Sequence, residues 1–278
     1  VYDGQTIATN HTNSSTSSAY SPKVTFTVTD STDSVAAPTV VSLDLSDLTF
    51  AKGTDQTNAD TYNWTVNSDG LKKIYAALGS KTGVSTDANF TIDESKLAGM
   101  YTITPAPITI TGPTLSKTYD GDAYTGTDDI GKVTGQPGNG VNPVFTMTDI
   151  SNDKDAKTSY DIVVTVDATA QNNKNYTITT VAGKLTIDKA KVTITAPTLS
   201  KTYDGQPYTD STKNVASLTG VPKDGDEVKY TLASISSDVN AGTYSTSVVE
   251  TATDNPNYTV TTVDGSLTIG QHELTPAT

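Results

Sequence analysis

The sequence predicts a mainly β protein: a tandem array of three small antiparallel β modules, with one short helix in the first module. Threonine supplies 53 of the 278 residues, and aspartate outnumbers glutamate 27 to 4. This usage favours strands and turns because Thr is β-branched and Asp prefers turns and caps. Several segments alternate Val or Ile with Thr, as half-buried antiparallel strands do. The sequence also repeats itself, which is typical of a modular array.

The repeat is carried by residues 108–125 (ITITGPTLSKTYDGDAYT), which return 84 positions later as VTITAPTLSKTYDGQPYT. The Asn-Tyr-Thr triplet at 175–177 returns 82 positions later at 257–259, so one intervening loop is two residues shorter. A more distant copy opens the chain with Tyr-Asp-Gly at 2–4 and has Asn-Phe-Thr at 89–91. We therefore predict modules at 1–105, 106–189 and 190–270, and we interpret 271–278 as the start of a further unit or as a tail.

The first module is longer than the others, and its extra length is predicted to contain an amphipathic helix. Apolar residues at positions 71, 74, 75 and 78 have the i, i+3, i+4, i+7 spacing of a helix with one apolar face. The predicted helix runs from Leu71 to Leu78. Ser68 and Asp69 precede it as capping residues, and Gly79 follows as its end.

Two architectures are compatible with the remaining pattern. The Asp-Gly of each Tyr-Asp-Gly copy indicates a tight hairpin turn, with glycine supplying a positive φ. Tyr244, which closes Asn-Ala-Gly-Thr-Tyr at 240–244, resembles the tyrosine corner of immunoglobulin-like sandwiches. A helix among strands is instead typical of a β-grasp, so the sandwich is favoured and the β-grasp stays open. Strands are predicted at 24–29, 108–111, 160–166, 192–195 and 258–262.

The connections between modules are short. Pro105-Ala106-Pro107 follows the first module, and residues 188–191 follow the second. A Pro-x-Pro linker is extended and stiff, and a net charge of -13 opposes the packing of acidic faces. We therefore expect a monomeric, extended rod whose modules contact one another only at the linkers.

The residues also suggest a family. Lys-Thr-Tyr-Asp-Gly at 117–121 and 201–205, followed by Ala-Gly-Thr-Tyr, Asn-Tyr-Thr and a closing Leu-Thr-Ile, resembles the MBG-type tandem repeat domains of Gram-positive, lactobacillus-like cell-surface adhesins. The first module, with LKKIYAAL at 71–78, looks like a longer subtype of the same family. This resemblance covers nearly the whole chain. It implies an extracellular, cell-wall-associated protein without established catalytic residues, of a kind often associated with binding to mucus and to host or plant surfaces.

Composition excludes several other classes. All 18 basic residues are lysine, and the chain has no arginine, which argues against a nucleic-acid partner because phosphate recognition relies on a cationic face and on arginine. No run of about 18 apolar residues exists, so membrane insertion is not expected. The absence of cysteine excludes disulfides, thiol catalysis and cysteine-based zinc sites. We expect neither an enzyme nor a bound cofactor or metal.

Candidate binding residues are few, and the ligand-binding set is unknown. The Tyr-Asp-Gly turns at 119–121 and 203–205 could contact a sugar, but a turn with a packed tyrosine is the favoured interpretation. Tyr124 and Tyr208 lie beyond these turns and are the weak choice for a binding surface. Lys117 and Lys201 could form isopeptide crosslinks, but a lysine on a strand face usually protects an exposed sheet edge.

The acidic clusters at 224–227 and 128–129 lack the spacing of a calcium loop and are interpreted as solvated loops. His11 and His272 belong to no catalytic or metal-ligand set. The leading functional hypothesis is an adhesin repeat region that binds host or matrix glycans or glycoproteins of the mucus type, with avidity from repeated weak sites. The alternatives are a passive stalk that holds a distal domain away from the cell wall and an accessory module of a secreted carbohydrate-active enzyme.

Overall fold

The computed structural model of the chain describes residues 1–10, 23–26, 39–82, 92–126, 131–235 and 237–275. Strands dominate these residues, which confirms the predicted mainly β class. Across the described ranges, no helix combines the length and the apolar character that a membrane crossing needs.

The first repeat folds around an antiparallel sheet and one amphipathic helix. Its elements in the described residues are α1 (Ile7–Asn10), β1 (Lys23–Phe26), β2 (Thr39–Ser42), β3 (Leu48–Phe50), β4 (Asp60–Val66), α2 (Ser68–Thr82) and β5 (Ala98–Ile103). The strands β3, β4 and β5 form a three-stranded antiparallel sheet in that order, and β1 pairs with β2. The helix α2 buries Ile74 and Leu78 in the same core as Trp64 of β4.

The predicted helix is present but longer than expected. The backbone N–H groups of Asp69 and Gly70 donate to the side-chain oxygen of Asn67, each at 3.0 Å, so Asn67 caps the helix and neither Ser68 nor Asp69 does. The helix also continues through Gly79 to Thr82. A single glycine costs a helix only about 1 kcal/mol, so it does not oblige the helix to end.

The second and third repeats share one order of strands. The strands of the second repeat are β6 (Ala106–Thr111), β7 (Thr114–Thr118), β8 (Lys132–Thr134), β9 (Phe145–Met147), β10 (Lys157–Ile162), β11 (Val164–Val166), β12 (Tyr176–Val181) and β13 (Gly183–Asp188). Those of the third are β14 (Ala190–Thr195), β15 (Thr198–Thr202), β16 (Ser217–Thr219), β17 (Thr231–Leu232), β18 (Gly242–Thr246), β19 (Val248–Val249), β20 (Tyr258–Val263) and β21 (Gly265–Gly270). Short 3-10 turns lie at Leu45–Asp47, Glu94–Lys96 and Gln171–Asn175.

Each of these two repeats contributes two three-stranded sheets and one two-stranded sheet. The orders β8-β6-β12, β7-β13-β10 and β9-β11 in the second repeat recur as β16-β14-β20, β15-β21-β18 and β17-β19 in the third. Two three-stranded sheets per repeat differ from the single helix-backed sheet of a β-grasp.

The sheets are mixed rather than purely antiparallel, which corrects the predicted strand directions. Val192 of β14 stands opposite Val260 of β20 in a parallel pair, and Leu199 of β15 stands opposite Leu267 of β21 in another. The strands β7 and β13 are also parallel. Strands from the beginning of a repeat therefore pair with strands from its end, and the long connection between them permits the parallel direction.

The chain packs into two compact units, and the second repeat contributes to both. One unit contains Val1–Ile110, Val133–Thr146 and Thr165–Thr180, and the other contains Thr111–Lys132, Met147–Val164 and Val181–Thr278. The boundaries 1–105, 106–189 and 190–270 follow the sequence repeat and stay a prediction.

Within each unit, two repeats share one hydrophobic core. In the first unit, Phe50 and Trp64 of the first repeat belong to the same buried cluster as Ile108 and Tyr176 of the second. In the second unit, a cluster joins Leu185 and Ile187 of the second repeat to Val192 and Ile194 of the third. The expectation that neighbouring repeats touch only at their linkers is therefore wrong.

Candidate functional site

The Tyr-Asp-Gly turn is the most strongly repeated motif of the chain, and a lysine holds it in place. The Lys117 ammonium donates to the Asp120 carboxylate at 2.6 Å and to the backbone carbonyl of Asp122 at 2.7 Å. The Asp120 carboxylate also accepts the N–H of Asp122 at 3.0 Å. The hydrogen bond from Lys117 is the main reason why the pKa of Asp120 lies below its usual range.

The third repeat has the same arrangement. Lys201 donates to the Asp204 carboxylate and to the carbonyl of Gln206, both at 2.7 Å, and lowers the pKa of Asp204. Both lysine side chains are only 15% exposed, so they stabilise the turn rather than protect an open sheet edge. Both ammonium groups are already engaged in an ion pair and in carbonyl hydrogen bonds, and this arrangement gives no support to an isopeptide crosslink.

The glycine of each turn has the predicted left-handed backbone. Gly4, Gly121 and Gly205 have φ values of 79°, 89° and 72°. In two of the three copies the glycine also lies against another repeat. A Cβ atom at Gly121 would overlap the carbonyl oxygen of Asp224, and one at Gly4 would overlap that of Asn139. At Gly205 the corresponding space is open.

The tyrosine of the second turn is packed against the third repeat. The Tyr119 ring meets the Tyr258 ring edge-on, with centroids 5.5 Å apart and an interplanar angle of 89°. The Tyr119 hydroxyl accepts the N–H of Asp226 at 2.9 Å, and the Tyr258 hydroxyl donates to the carbonyl of the same residue at 2.6 Å. Tyr119 is 3% exposed, which confirms the packed interpretation of this turn.

The first turn repeats this geometry against the second repeat. The Tyr2 and Tyr176 rings are 5.3 Å apart at 88°. The Tyr2 hydroxyl accepts the N–H of Val141 at 3.0 Å, and the Tyr176 hydroxyl donates to the Val141 carbonyl. Burial raises the pKa of Tyr176 and of Tyr258 to about 12 in each case, with their partner tyrosines adding to the effect. The same ring pair therefore occurs twice.

The asparagine of each Asn-Tyr-Thr triplet completes the contact, and sequence reasoning did not assign it this role. The buried Asn257 side chain accepts the N–H of Ala156 at 2.7 Å and donates to the carboxylates of Asp155 at 3.1 Å and Asp226 at 2.7 Å. Asn175 likewise accepts the N–H of Ala59 at 2.6 Å and donates to the Asn58 side chain at 3.0 Å. The recurrence of this asparagine immediately before a tyrosine, at positions 175 and 257, is the sequence signal that could have indicated this role.

We call the set formed by the Tyr-Asp-Gly turn, the alanine N–H and the incoming Asn-Tyr end a turn junction. The first junction lies within the first unit and involves Tyr2, Ala59 and 175–176, and the second lies within the second unit and involves Tyr119, Ala156 and 257–258. In the third repeat, Tyr203 is 40% exposed. The packed interpretation therefore does not hold for the third turn.

The tyrosine corner predicted at Tyr244 has its hydrogen bond, and the first two repeats have a bond of the same kind that was not predicted. The hydroxyl groups of Tyr62 and Tyr244 donate to the carbonyls of Asn58 and Asn240, four residues earlier, at 2.7 and 2.9 Å. The Tyr160 hydroxyl donates to the carbonyl of Asp155 at 2.9 Å. In the first two repeats, this bond fixes the loop that presents the alanine N–H of a turn junction.

Tyr124, the weak choice for a binding surface, borders a pocket of about 220 Å³. Met147 and Ile162 form an apolar part of the pocket wall, and Asp149 and Ser151 contribute polar groups to it. The Asp149 carboxylate accepts the Ser151 N–H at 2.8 Å, and its hydrogen bonds to Ser151 lower its pKa. This pocket places an aromatic ring beside a carboxylate that solvent can reach.

The other candidates lie apart from this pocket. Tyr208 is half-buried and packs against the small core of the third repeat. In the acidic cluster 224–227, all three acidic residues are exposed, as predicted, and the Asp226 carboxylate also accepts a hydrogen bond from Asn257 in the second turn junction. Asp128, Asp129 and His11 lie outside the described residues, and His272 is exposed. Within the described ranges, no three acidic or histidine side chains converge as a metal site.

A second pocket, of about 460 Å³, lies in the third repeat and is lined by residues including Val215, Lys229 and Tyr230.

Comparison with known proteins identifies one family: the family model of the MBG domain matches residues 1–105. Neither a curated protein nor a solved structure matches the chain. The MBG domain is a non-catalytic, repeat-type domain found in surface proteins.

Proposed function

Because the family model of the MBG domain matches residues 1–105, we propose that this chain is the repeat region of a bacterial cell-surface adhesin that binds host or matrix glycans or glycoproteins. The observation that carries the proposal is the pocket lined by Tyr124 and Asp149, which places an aromatic ring and an exposed carboxylate in one cavity of the second repeat. A surface that recurs along an array multiplies weak affinities, since neighbouring sites raise the effective concentration of the ligand.

The pocket beside Tyr124 is the place where we propose that a sugar binds. Aromatic rings stack on the apolar faces of sugars, and the Asp149 carboxylate can accept hydrogen bonds from sugar hydroxyls. A pocket of about 220 Å³ is smaller than most drug-sized binding sites of roughly 300 to 1,000 Å³. We therefore expect one or two sugar units per pocket and a weak affinity, in the millimolar range of roughly −4 kcal/mol.

Binding of the full chain to immobilised mucin and to a glycan array tests this proposal. We expect Asp149→Asn to weaken binding at least several-fold while leaving the melting temperature unchanged, because asparagine keeps the oxygen that accepts the Ser151 N–H. Tyr124→Ala should abolish binding, and Tyr203→Ala, an exposed tyrosine outside the pocket, is the matched control. Retention of full mucin or glycan binding by both pocket variants would exclude this pocket as the site.

A passive stalk is the second candidate function, and one observation favours it. The most repeated residues of the chain, at the Tyr-Asp-Gly turns and the Asn-Tyr triplets, are used in packing between repeats in both turn junctions. A stalk needs such contacts and needs no ligand. Absence of binding by the folded chain above background, on mucin and on the glycan array, would select this function. Small-angle scattering checks the extended shape that both functions require.

A further inference from the structure

The third Tyr-Asp-Gly turn has the same construction as the other two, but no residue that the structure describes covers it in the same way. Tyr203 is 40% exposed, whereas Tyr2 and Tyr119 are 2% and 3% exposed. A Cβ atom at Gly205 would meet nothing closer than the Tyr203 hydroxyl at 3.9 Å. At the other two turns, the same space is filled by the backbone of the following repeat.

The turn itself is fully formed. The N–H of Tyr203 donates to the carbonyl of Gly270 at 2.8 Å, as the N–H of Tyr119 donates to Asp188 at 2.8 Å. Lys201 and Asp204 make the same ion pair as their counterparts in the second repeat. The third turn therefore has the geometry of the other two even where none of the described residues packs against it.

The second half of the surface is also in place. Gly242 stands opposite Ile269 in β18 and β21, as Lys157 stands opposite Ile187 in β10 and β13. Ala241 and Ala156 each come immediately before these residues, so they occupy equivalent positions. The N–H of Ala156 donates to Asn257, whereas Ala241 is exposed.

We propose that Tyr203, Gly205 and Ala241 form a docking surface for the Asn-Tyr end of another MBG-type module. The incoming tyrosine would meet the Tyr203 ring edge-on, and the incoming asparagine would accept the Ala241 N–H. A backbone carbonyl from a short loop of the incoming module would lie against Gly205, and an N–H two residues further along would donate to the Tyr203 hydroxyl. All four contacts exist in both turn junctions of this chain.

A second copy of this chain does not suit the surface. Its two Asn-Tyr ends, at 175–176 and 257–258, are already buried in turn junctions of their own. The occupant is therefore a module whose Asn-Tyr end is free. This inference concerns contacts between modules and does not depend on the proposed glycan binding.

Nitration of tyrosine by tetranitromethane, mapped by mass spectrometry, tests the proposal in two folded chains. One is the native chain, and the other is an extended chain in which residues 1–269 are followed directly by a second copy of residues 188–278. The appended copy carries phenylalanine in place of Tyr203, so that nitration at this position comes only from the original turn. In the native chain Tyr203 should react readily, while Tyr2 and Tyr119 are protected. In the extended chain Tyr203 should react roughly tenfold more slowly, in line with the difference between 40% and 3% exposure.

Two glycine variants sharpen the test. Gly205→Val should return Tyr203 of the extended chain to the reactivity of the native chain, and it should leave the native chain's reactivity unchanged. Gly138→Val is the matched control, because a Cβ atom at Gly138 meets nothing within 4 Å. Hydrogen exchange provides an independent measurement: the Ala241 amide should become protected only in the extended chain.

The proposal is overturned if the appended copy folds and Tyr203 stays as reactive as in the native chain. An appended copy that stays unfolded would also overturn it, since the surface would then fail to support the module it is proposed to hold. Protection of Tyr203 in the native chain at high concentration, together with dimers in sedimentation, would instead make a second copy the occupant.

Discussion

Replacement of Gly121 by alanine is the sharpest perturbation of a turn junction. Gly121 has a φ of 89°, which costs a residue with a Cβ atom about 1 to 2 kcal/mol. The new Cβ atom would also overlap the backbone carbonyl of Asp224. The backbone at Asp224 cannot change rotamer as a side chain can, so we expect this loop of the third repeat to move away from the turn.

Withdrawal breaks contacts whose contributions can be estimated. The edge-on pair of Tyr119 and Tyr258 contributes about 0.5 to 1.5 kcal/mol, and the hydrogen bond from Asp226 to Tyr119 contributes about 1 kcal/mol. Together with the strained φ, Gly121→Ala should lower the free energy of unfolding by about 2.5 to 4.5 kcal/mol.

Gly205→Ala is the matched control, because the two glycines share the local sequence Lys-Thr-Tyr-Asp-Gly. Gly205 has a φ of 72° and open space beside it. Only the backbone strain of about 1 to 2 kcal/mol applies there. Urea unfolding followed by circular dichroism measures both variants, and their difference should be about 2 kcal/mol.

The fluorescence of Tyr119 and Tyr258 cannot be separated from that of the other tyrosines, so nuclear magnetic resonance provides the local measurement. In Gly121→Ala, chemical shifts should change at Asp226 and Tyr258 of the third repeat, well away from the substituted turn in sequence. Equal losses of stability for the two variants, or shift changes confined to the second repeat, would refute the reasoning.

Three further predictions use the same contacts. Asn257→Ala should destabilise the chain by about 1 to 3 kcal/mol in urea unfolding, because the half-buried N–H of Ala156 loses the buried Asn257 oxygen that accepts it. Asn152→Ala, at an exposed position, should change stability by less than about 0.5 kcal/mol. In an alkaline titration followed by phenolate absorbance, Tyr176 and Tyr258 should ionise last, near pH 12. The stability that their neutral hydroxyl groups contribute is complete below about pH 10 and is lost as the pH rises towards 12. Titration of all tyrosines together while the fold persists would contradict this prediction. Lys117→Gln should raise the pKa of Asp120 towards its usual value in a titration followed by nuclear magnetic resonance. Because the pKa of Asp120 is lowered in the folded chain, the ion pair stabilises the fold above about pH 4, and this stabilisation is lost as the pH falls through the lowered pKa. An unchanged Asp120 pKa in the variant would show that Lys117 is not the cause of the shift.

The features that depend on local sequence could be predicted. Alternating Val, Ile and Thr predicted five strands of the later repeats, β6, β10, β11, β14 and β20, and Asp-Gly predicted the positive φ of Gly121 and Gly205. The spacing of apolar residues predicted the helix, although its start and end differed. In each case the signal is physical and short-range, because backbone preference and the periodicity of one buried face are set within a few residues.

The partners of those elements could not be predicted in the same way. Periodicity shows that a strand has a buried face but not which strand lies beside it, so the parallel pairs between the start and the end of a repeat were missed. Tyr119 and Tyr203 show that local sequence does not determine burial here. They stand in identical local sequences and differ from 3% to 40% in exposure, because burial here is supplied by the following repeat.

A turn junction also couples the free energies of unfolding of neighbouring repeats. In a simple array, the stability of each module adds to a smaller contribution from its contact with the next. Here the tyrosine, the glycine and the alanine N–H of one repeat are covered by the Asn-Tyr end and a short loop of the next, and buried side chains of both repeats form one core. A substitution at such a position therefore acts on two repeats at once. Since every added module would complete one more junction, the length of the array stabilises the repeats that are already present, in addition to multiplying any weak binding sites.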